Sequence, residues 1–185
     1  MDNFEQALTA LQQGEVIAYP TEGVFGVGCD PDNPQAIQKL LTLKQRPVEK
    51  GLILIAANYQ QLVPYIDESQ LTEQQLQTVQ ATWPGPYTWI MPTSDKVSDW
   101  VSGQFDSIAV RVTDHPLVQQ MCLAFGKPIT STSANLSGLA PCMTTEEVEQ
   151  QLGDQLVAIL RGTTGGRDKP SEIRDAKTLQ VLRQG

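Results

Sequence analysis

One run constrains this chain more than any other: Leu52-Ile53-Leu54-Ile55-Ala56, five apolar residues with no polar position among them. A strand wet on one face alternates apolar with polar residues, so an unbroken apolar run of strand length implies cover on both faces. Helices provide such cover, and the flanking sequence contains them. Phe4, Ala7, Leu8 and Leu11 recur at helical spacing with Gly14 at the expected helix end, and residues 16–19 read as a buried strand. Pro20-Thr21-Glu22-Gly23 breaks that strand. Residues 24–29 then resume an extended path thinned by Gly26 and Gly28, where something can approach the backbone closely. Asn33 caps a helix that has Pro34 at its first position and Ile37, Leu40, Leu41 and Lys44 along one side, and Asn58 and Thr72 cap two more.

Beyond the stiff turn Trp83-Pro84-Gly85-Pro86, strands are expected at 87–91 and 108–112, a helix at 116–124 and a short strand at 128–131. Thr144-x-x-Glu147 reads as a capping box opening another helix, and strands at 156–160 and 178–182 complete the set. Helices and strands alternate without a polar linker, and 185 residues suit one ordinary core. The expectation is one α/β domain over residues 1–185, with consecutive central strands that make its sheet mixed rather than purely parallel.

Composition narrows the chemistry. Thirteen Lys and Arg against 21 Asp and Glu give a net charge of −8, which excludes a protein coated in basic charge, so a polyanion must be met by a local cationic patch. Cys29, Cys122 and Cys142 are odd in number and far apart, which excludes a disulfide framework and a Cys-x-x-Cys metal knuckle and suits a reducing cytosol. No apolar run approaches the roughly 18 residues of a membrane span, and Met1-Asp2-Asn3-Phe4-Glu5 lacks the basic start of a secretory signal, so a mature cytoplasmic chain is expected. The Gly-x-x-x-x-Gly-Lys-Ser/Thr, Gly-x-Gly-x-x-Gly and Gly-x-Ser-x-Gly patterns are missing. The single histidine, His115 in Asp114-His115-Pro116, leaves little room for a Ser-His-Asp hydrolase or a multi-histidine metal site, and no metal ligands are expected. It reads instead as ordering a strand-to-helix turn.

Four stretches combine polar groups with a constrained backbone. Thr21 and Glu22 sit on the strand break ahead of the glycines, as an ordinary turn or as part of a site. Lys44, Arg46 and Lys50 gather three cations at one helix exit, with Pro47 and Gly51 to fix their directions; a solvated helix end and a phosphate site explain them equally. Arg111 interrupts the apolar strand that begins near Ser107, and alternation alone sends it to solvent as readily as to a ligand. Thr130-Ser131-Thr132-Ser133-Ala134-Asn135-Leu136-Ser137-Gly138 follows a strand with short hydrogen-bonding side chains that suit either a capping turn or an anion nest.

With Pro20-Thr21-Glu22, Lys44-x-Arg46-Pro47, Trp83-Pro84-Gly85-Pro86, Ala109-Val110-Arg111-Val112 and Ser133-Ala134-Asn135-Leu136-Ser137-Gly138 in this order, the sequence resembles the YrdC-like family over nearly its whole length. The resemblance implies a twisted, mostly open α/β sheet with a cationic concave face. It also implies a nucleotidyltransferase activity, in which L-threonine, bicarbonate and ATP, with Mg2+ as the usual companion of ATP, become L-threonylcarbamoyladenylate and pyrophosphate. That product feeds N6-threonylcarbamoyladenosine formation at position 37 of tRNAs reading ANN codons, and partner proteins of the TsaB, TsaD and TsaE type complete the transfer. Longer members carry a further C-terminal domain, which a chain stopping at Gly185 is expected to lack. By the same resemblance, Thr21, Lys50, Arg111, Ser131 and Ser171 bind threonine. Lys44, Arg46, Ser107, Ser133, Asn135 and Arg183 bind ATP, and Lys44, Arg46, Ser133 and Asn135 form the catalytic set. Lys50-Gly51-Leu52 stands where many relatives have His-Pro-Leu, and Ser171-Glu172-Ile173-Arg174-Asp175 where a more apolar run is common.

The chemistry agrees with such residues. A threonine carbamate is already an anion able to attack the α-phosphate, so adenylation needs positioning and charge neutralisation rather than a strong base. Two rival readings stand beside it. One is an RNA-binding module in ribosomal RNA maturation, motivated by the same cations; the other is carbamoyl transfer to a different acceptor.

Overall fold

The computed structural model describes residues 2–167 and 171–184. In chain order the elements are α1 (Asn3–Gln12), β1 (Ile17–Pro20), β2 (Phe25–Gly28), α2 (Pro34–Lys44), β3 (Ile53–Ala56), α3 (Tyr59–Leu62), α4 (Glu73–Ala81) and β4 (Tyr87–Pro92). Then come α5 (Asp99–Ser102), β5 (Ser107–Val112), α6 (Pro116–Phe125), β6 (Ile129–Ser133), α7 (Thr145–Leu152), β7 (Ala158–Ile159), β8 (Glu172–Asp175) and β9 (Val181–Arg183). The strands form one sheet in the order β7-β1-β2-β6-β3-β5-β4-β8-β9. It is mixed, as expected: β1 and β7, β3 and β5, and β4 and β8 run parallel, and the remaining neighbours run antiparallel.

Local chemistry accounts for most element ends. Asn33 accepts from the amides of Gln35 and Ala36 at the start of α2, and Thr72 with Gln75 closes a capping box on α4. His115 caps α6 by accepting from the Leu117 amide, while its other ring nitrogen lies 2.7 Å from the Thr163 carbonyl oxygen. Thr144 caps α7 through the Glu147 amide, but the Glu147 carboxylate accepts from the Met143 amide rather than from the cap, so the expected box is only half formed. Gly14 follows α1 at φ +79°.

Two expected strands needed correction, and one strand was missed. The strand expected at 156–160 shrinks to β7, and the one at 178–182 begins at Val181 because Leu179 adopts φ +62°. β8 was not anticipated, since Glu172 and the ion-paired Arg174 carry charge where a strand pattern requires apolar residues. The helix expected after Asn58 forms with Asn58 as its cap, and it is one turn long.

Two cores flank the sheet. On one face α2, α4, α5 and α7 deliver Ile37, Leu40, Val79, Val101 and Val148 against Leu54, Trp89 and Val110. On the other, Ala7, Leu11, Val118 and Met121 of α1 and α6 cover Ile17, Tyr19, Ile55 and Ile129. The apolar run 52–56 is thus covered on both sides, and burial of each such side chain is worth about 1.5–3 kcal/mol. Side chains two apart share a face, so Ile53, Arg111 and Ser131 lie on the α1/α6 side, Arg111 in register with Ile55 and Ile53 with Ser131. Among the described residues no helix is long and apolar enough to cross a membrane.

What approaches the glycine-thinned β2 is the protein itself. The Tyr19 ring crosses this strand so that its hydroxyl donates to the Thr130 carbonyl at 2.8 Å. A Cβ on Gly26 would lie 3.0 Å from the ring, and one on Gly28 would lie 1.7 Å from the Thr130 carbonyl oxygen.

Candidate active site

On the α1/α6 side of the sheet a cavity of about 580 Å³ opens between the β1–β2 turn, the start of β3 and the end of β6. Thr21 and Glu22 wall it from the turn, Arg111 from β5, Ser131 to Ser133 from β6, and Arg46 from the exit of α2. Pro86, Pro141, Arg167, Ser171 and Arg183 complete the polar and proline-lined rim, with Phe25 and Ile53 beneath. Four arginines face one carboxylate, Glu22, in a chain whose net charge is −8. A small anion is matched by such a focus of cations, whereas duplex binding needs many phosphate contacts.

Hydrogen bonds hold six of the wall residues. The Thr21 hydroxyl donates to the Val24 carbonyl and closes its own turn. Arg46 donates from Nε to the Gly51 carbonyl at 3.1 Å, where Gly51 has φ +74°; burial holds its guanidinium below the ordinary arginine value. Arg183 donates from Nη2 to the Ser171 carbonyl at 2.8 Å, and Ser171 and Thr88 share a hydrogen bond of 2.8 Å between their hydroxyls. Arg111, 8% exposed, does not point to solvent: its Nη1 donates to Glu22 Oε2 at 2.5 Å. Burial alone raises the Glu22 carboxyl, but the Arg111 charge and three hydrogen bonds outweigh it and hold the group below the ordinary carboxylate value.

Of the residues singled out from sequence, Thr21, Arg46, Arg111, Ser131, Ser133, Ser171 and Arg183 converge on the cavity. Lys44, Lys50, Asn135 and Ser107 are not brought to its wall. Lys44 is half-buried, and its Nζ donates to the carbonyls of Ser133 and Asn135 at 2.8 and 2.9 Å and to Asn135 Oδ1 at 2.5 Å. Those three acceptors match its three N–H groups. Burial, then the nearby Arg46 charge, lower its pKa. Asn135 Oδ1 also accepts from the Ser133 hydroxyl, and its amide donates to the Leu139 carbonyl, so Lys44 and Asn135 brace the turn that carries Ser133. Lys50 is exposed at the end of a short 3-10 turn. Ser107 pairs with Pro92 at the opposite end of β5 from Arg111.

Sequence reasoning singled out Glu22 without assigning it a binding or catalytic role and passed over Arg167; both line the same cavity. Glu22 was visible as a carboxylate on a strand break. The signal for Arg167 was the Gly165-Gly166 pair ahead of it: the Gly165 amide donates to the Thr21 carbonyl at 2.9 Å, and a Cβ there would lie 3.0 Å from Glu22 Cα. The three thiols are buried, and burial pushes those of Cys29 and Cys122 up to about 12, as befits core residues.

Comparison with known proteins agrees with this architecture. The Sua5/YciO/YrdC family model, described as "Telomere recombination", matches residues 9–185. A threonylcarbamoyl-AMP synthase of Vibrio parahaemolyticus is 88% identical over 185 residues, all of both chains. The structure of P. abyssi Sua5 complexed with L-threonine is similar at TM-score 0.86 and 27% identity, covering 93% of this chain and 50% of that one, so the chain spans about half the length of that protein. E. coli YciO is similar at TM-score 0.85 and 26% identity, with 98% and 88% covered.

Proposed function

We propose, since the chain belongs to the Sua5/YciO/YrdC family, that it acts as a threonylcarbamoyl-AMP synthase, a nucleotidyltransferase joining L-threonine, bicarbonate and ATP and releasing pyrophosphate. The observation that carries the reading is an arginine-rich cavity, lined by the hydroxyl residues Thr21, Ser131 and Ser133 together with Arg46, Arg111 and Arg183. The Vibrio parahaemolyticus relative bears the name of this activity over its full length, and the P. abyssi relative was solved with threonine bound.

In this reading Arg111 takes the threonine carboxylate, with Thr21, Ser131 and Ser171 around the amino acid. Arg46, Arg183 and the Ser133 turn take the nucleotide phosphates. Threonine ammonium and bicarbonate give the carbamate, water and a proton. A carbamate oxygen then attacks the α-phosphorus while the bond to pyrophosphate breaks, and the guanidinium groups neutralise the charge that develops on the leaving oxygens. Glu22 is a poor proton acceptor, because three donors occupy its carboxylate and its pKa is low. The proton therefore leaves to water. Lys44 and Asn135 act one step back, by bracing the Ser133 turn.

Among the described residues no three His, Cys, Asp or Glu side chains converge as metal ligands, and Glu22 is already engaged. Mg2+ would enter with ATP as part of the substrate, and would supply charge neutralisation on the phosphates beside Arg46 and Arg183. The product passes to TsaB-, TsaD- and TsaE-type partners for modification of adenosine 37 in the cytoplasm. The RNA-module reading has weaker support, since Arg111 is buried and Lys44 is turned to protein oxygens.

Pyrophosphate release from ATP, bicarbonate and Mg2+, measured with and without L-threonine, tests the reading. Release that requires threonine and falls in Ser133→Ala is the expected result. No release would reject the activity, and release indifferent to the amino acid would point to another acceptor.

A further inference from the structure

Glu22 has a place that the adenylation chemistry leaves unexplained. A carboxylate in an anion-binding cavity opposes the ligand's charge, so its presence there needs a reason. Its contacts supply one. Oε1 accepts from the Thr113 hydroxyl at 2.8 Å, and Oε2 accepts from the Asp114 amide at 3.1 Å and from Arg111 Nη1. Thr113 is itself immobile: it is fully buried, its amide donates to the Ala56 carbonyl, its hydroxyl accepts from the His115 amide, and its carbonyl accepts from Gln119. Two neutral donors on a fixed backbone therefore anchor the carboxylate, and the anchored carboxylate fixes one edge of the Arg111 guanidinium. A guanidinium has five N–H donors, so one bond through Nη1 leaves capacity for a second carboxylate.

The main chain of the same residue orders a second cation. The Glu22 carbonyl accepts from the Arg167 amide at 3.0 Å, one bond beyond the pairing of the Gly165 amide with the Thr21 carbonyl. Two arginines of the cavity thus take their positions from one glutamate, one through its side chain and one through its backbone.

We infer that Glu22 is the positioning residue of the amino-acid half of the site: it presets Arg111 for a substrate α-carboxylate and offsets its charge until that carboxylate arrives. The inference rests on the proposed reading of Arg111. Replacing the charge while keeping the shape frees the guanidinium to swing, which weakens a charge-assisted contact to threonine. It also removes a negative charge from the cavity, so phosphate binding does not suffer.

Glu22→Gln separates the two effects. In threonine-dependent pyrophosphate release, the KM for threonine is expected to rise about tenfold or more. The Kd of a non-hydrolysable ATP analogue, measured by calorimetry without threonine, is expected to stay the same or tighten. Glu22→Asp, one methylene short of the Thr113 and Asp114 anchors, is expected not to rescue. A threonine KM within twofold of wild type would overturn the inference. So would a parallel loss of threonine and nucleotide affinity, which marks a merely structural role. Absence of threonine-dependent release from the wild type would instead sink the function on which the inference rests.

Discussion

Gly28→Ala puts the packing of β2 on β6 to a severe test. The new methyl would sit 1.7 Å from the Thr130 carbonyl oxygen, where contacts under 3.0 Å are essentially unknown for real Cβ atoms. The obstacle is backbone, so no rotamer relieves it, and the two strands must part by more than an ångström. Hydrogen bonds that the shift would strain include three short ones: Tyr19 Oη to the Thr130 carbonyl at 2.8 Å, the Cys29 amide to Thr130 Oγ1 at 2.9 Å, and the Thr130 amide to the Cys29 carbonyl at 3.0 Å. Weakening these three costs about 0.5–1.5 kcal/mol each, and overpacking adds about 1–3 kcal/mol, for a total of roughly 2.5–7.5 kcal/mol. At about 2–4 °C per kcal/mol for a domain of this size, Tm falls by roughly 5–30 °C. Scanning calorimetry reads the fall, and Gly153→Ala serves as the control. Gly153 already has helical angles and its nearest neighbour would be 3.9 Å from a Cβ, so that variant is expected to stay within about 1 kcal/mol of wild type. A Gly28→Ala protein that melts within about 3 °C of wild type would refute the steric reasoning.

Other consequences are equally open to measurement. Lys44→Met removes the three lysine bonds that help brace the Ser133–Asn135 turn, so kcat/KM for pyrophosphate release is expected to fall by about tenfold to a hundredfold; an unchanged rate would end the lysine's bracing role. The pKa of Glu22 lies below its ordinary value of 4.5 in the folded protein, so its contribution to stability is present above that pH and is lost as pH falls through the lowered folded value. The urea midpoint of wild type should therefore exceed that of Glu22→Gln at neutral pH, and the gap should narrow as acid protonates the folded carboxylate; a gap that does not narrow would contradict the assignment. With Cys29, Cys122 and Cys142 all buried, a thiol reagent should modify none of them rapidly in native protein and all three after denaturation; a fast-reacting native thiol would show that one is accessible.

Local signals carried most of the fold. The run 52–56, the Asn33, Thr72 and His115 caps, and the glycines after helices each act within a few residues, so their structural result can be read from the chain. β8 was hidden because its cohesion comes from pairing with β4 and from the Arg174–Glu172 ion pair, neither of which leaves a period-two apolar trace. In the site, residue types were legible but directions were not. Lys44 looked like a phosphate ligand, yet its acceptors are contributed by residues 89 and 91 positions away. Arg111 was ambiguous between solvent and site, and what decides it is a carboxylate 89 positions earlier in the chain. Gly26 and Gly28 were legible as a place of close approach, but the Tyr19 ring and the β6 backbone that approach them emerge only once the strands are paired.

That threonine, bicarbonate and ATP are joined in one cavity can be read from the nucleotide product itself. Mass spectrometry of a reaction supplied with L-threonine, Mg2+-ATP and carbon-13 bicarbonate should show an adenylate containing threonine and one labelled carbon, formed in equal amount to pyrophosphate. Nucleotide products that lack threonine or the label would contradict the account.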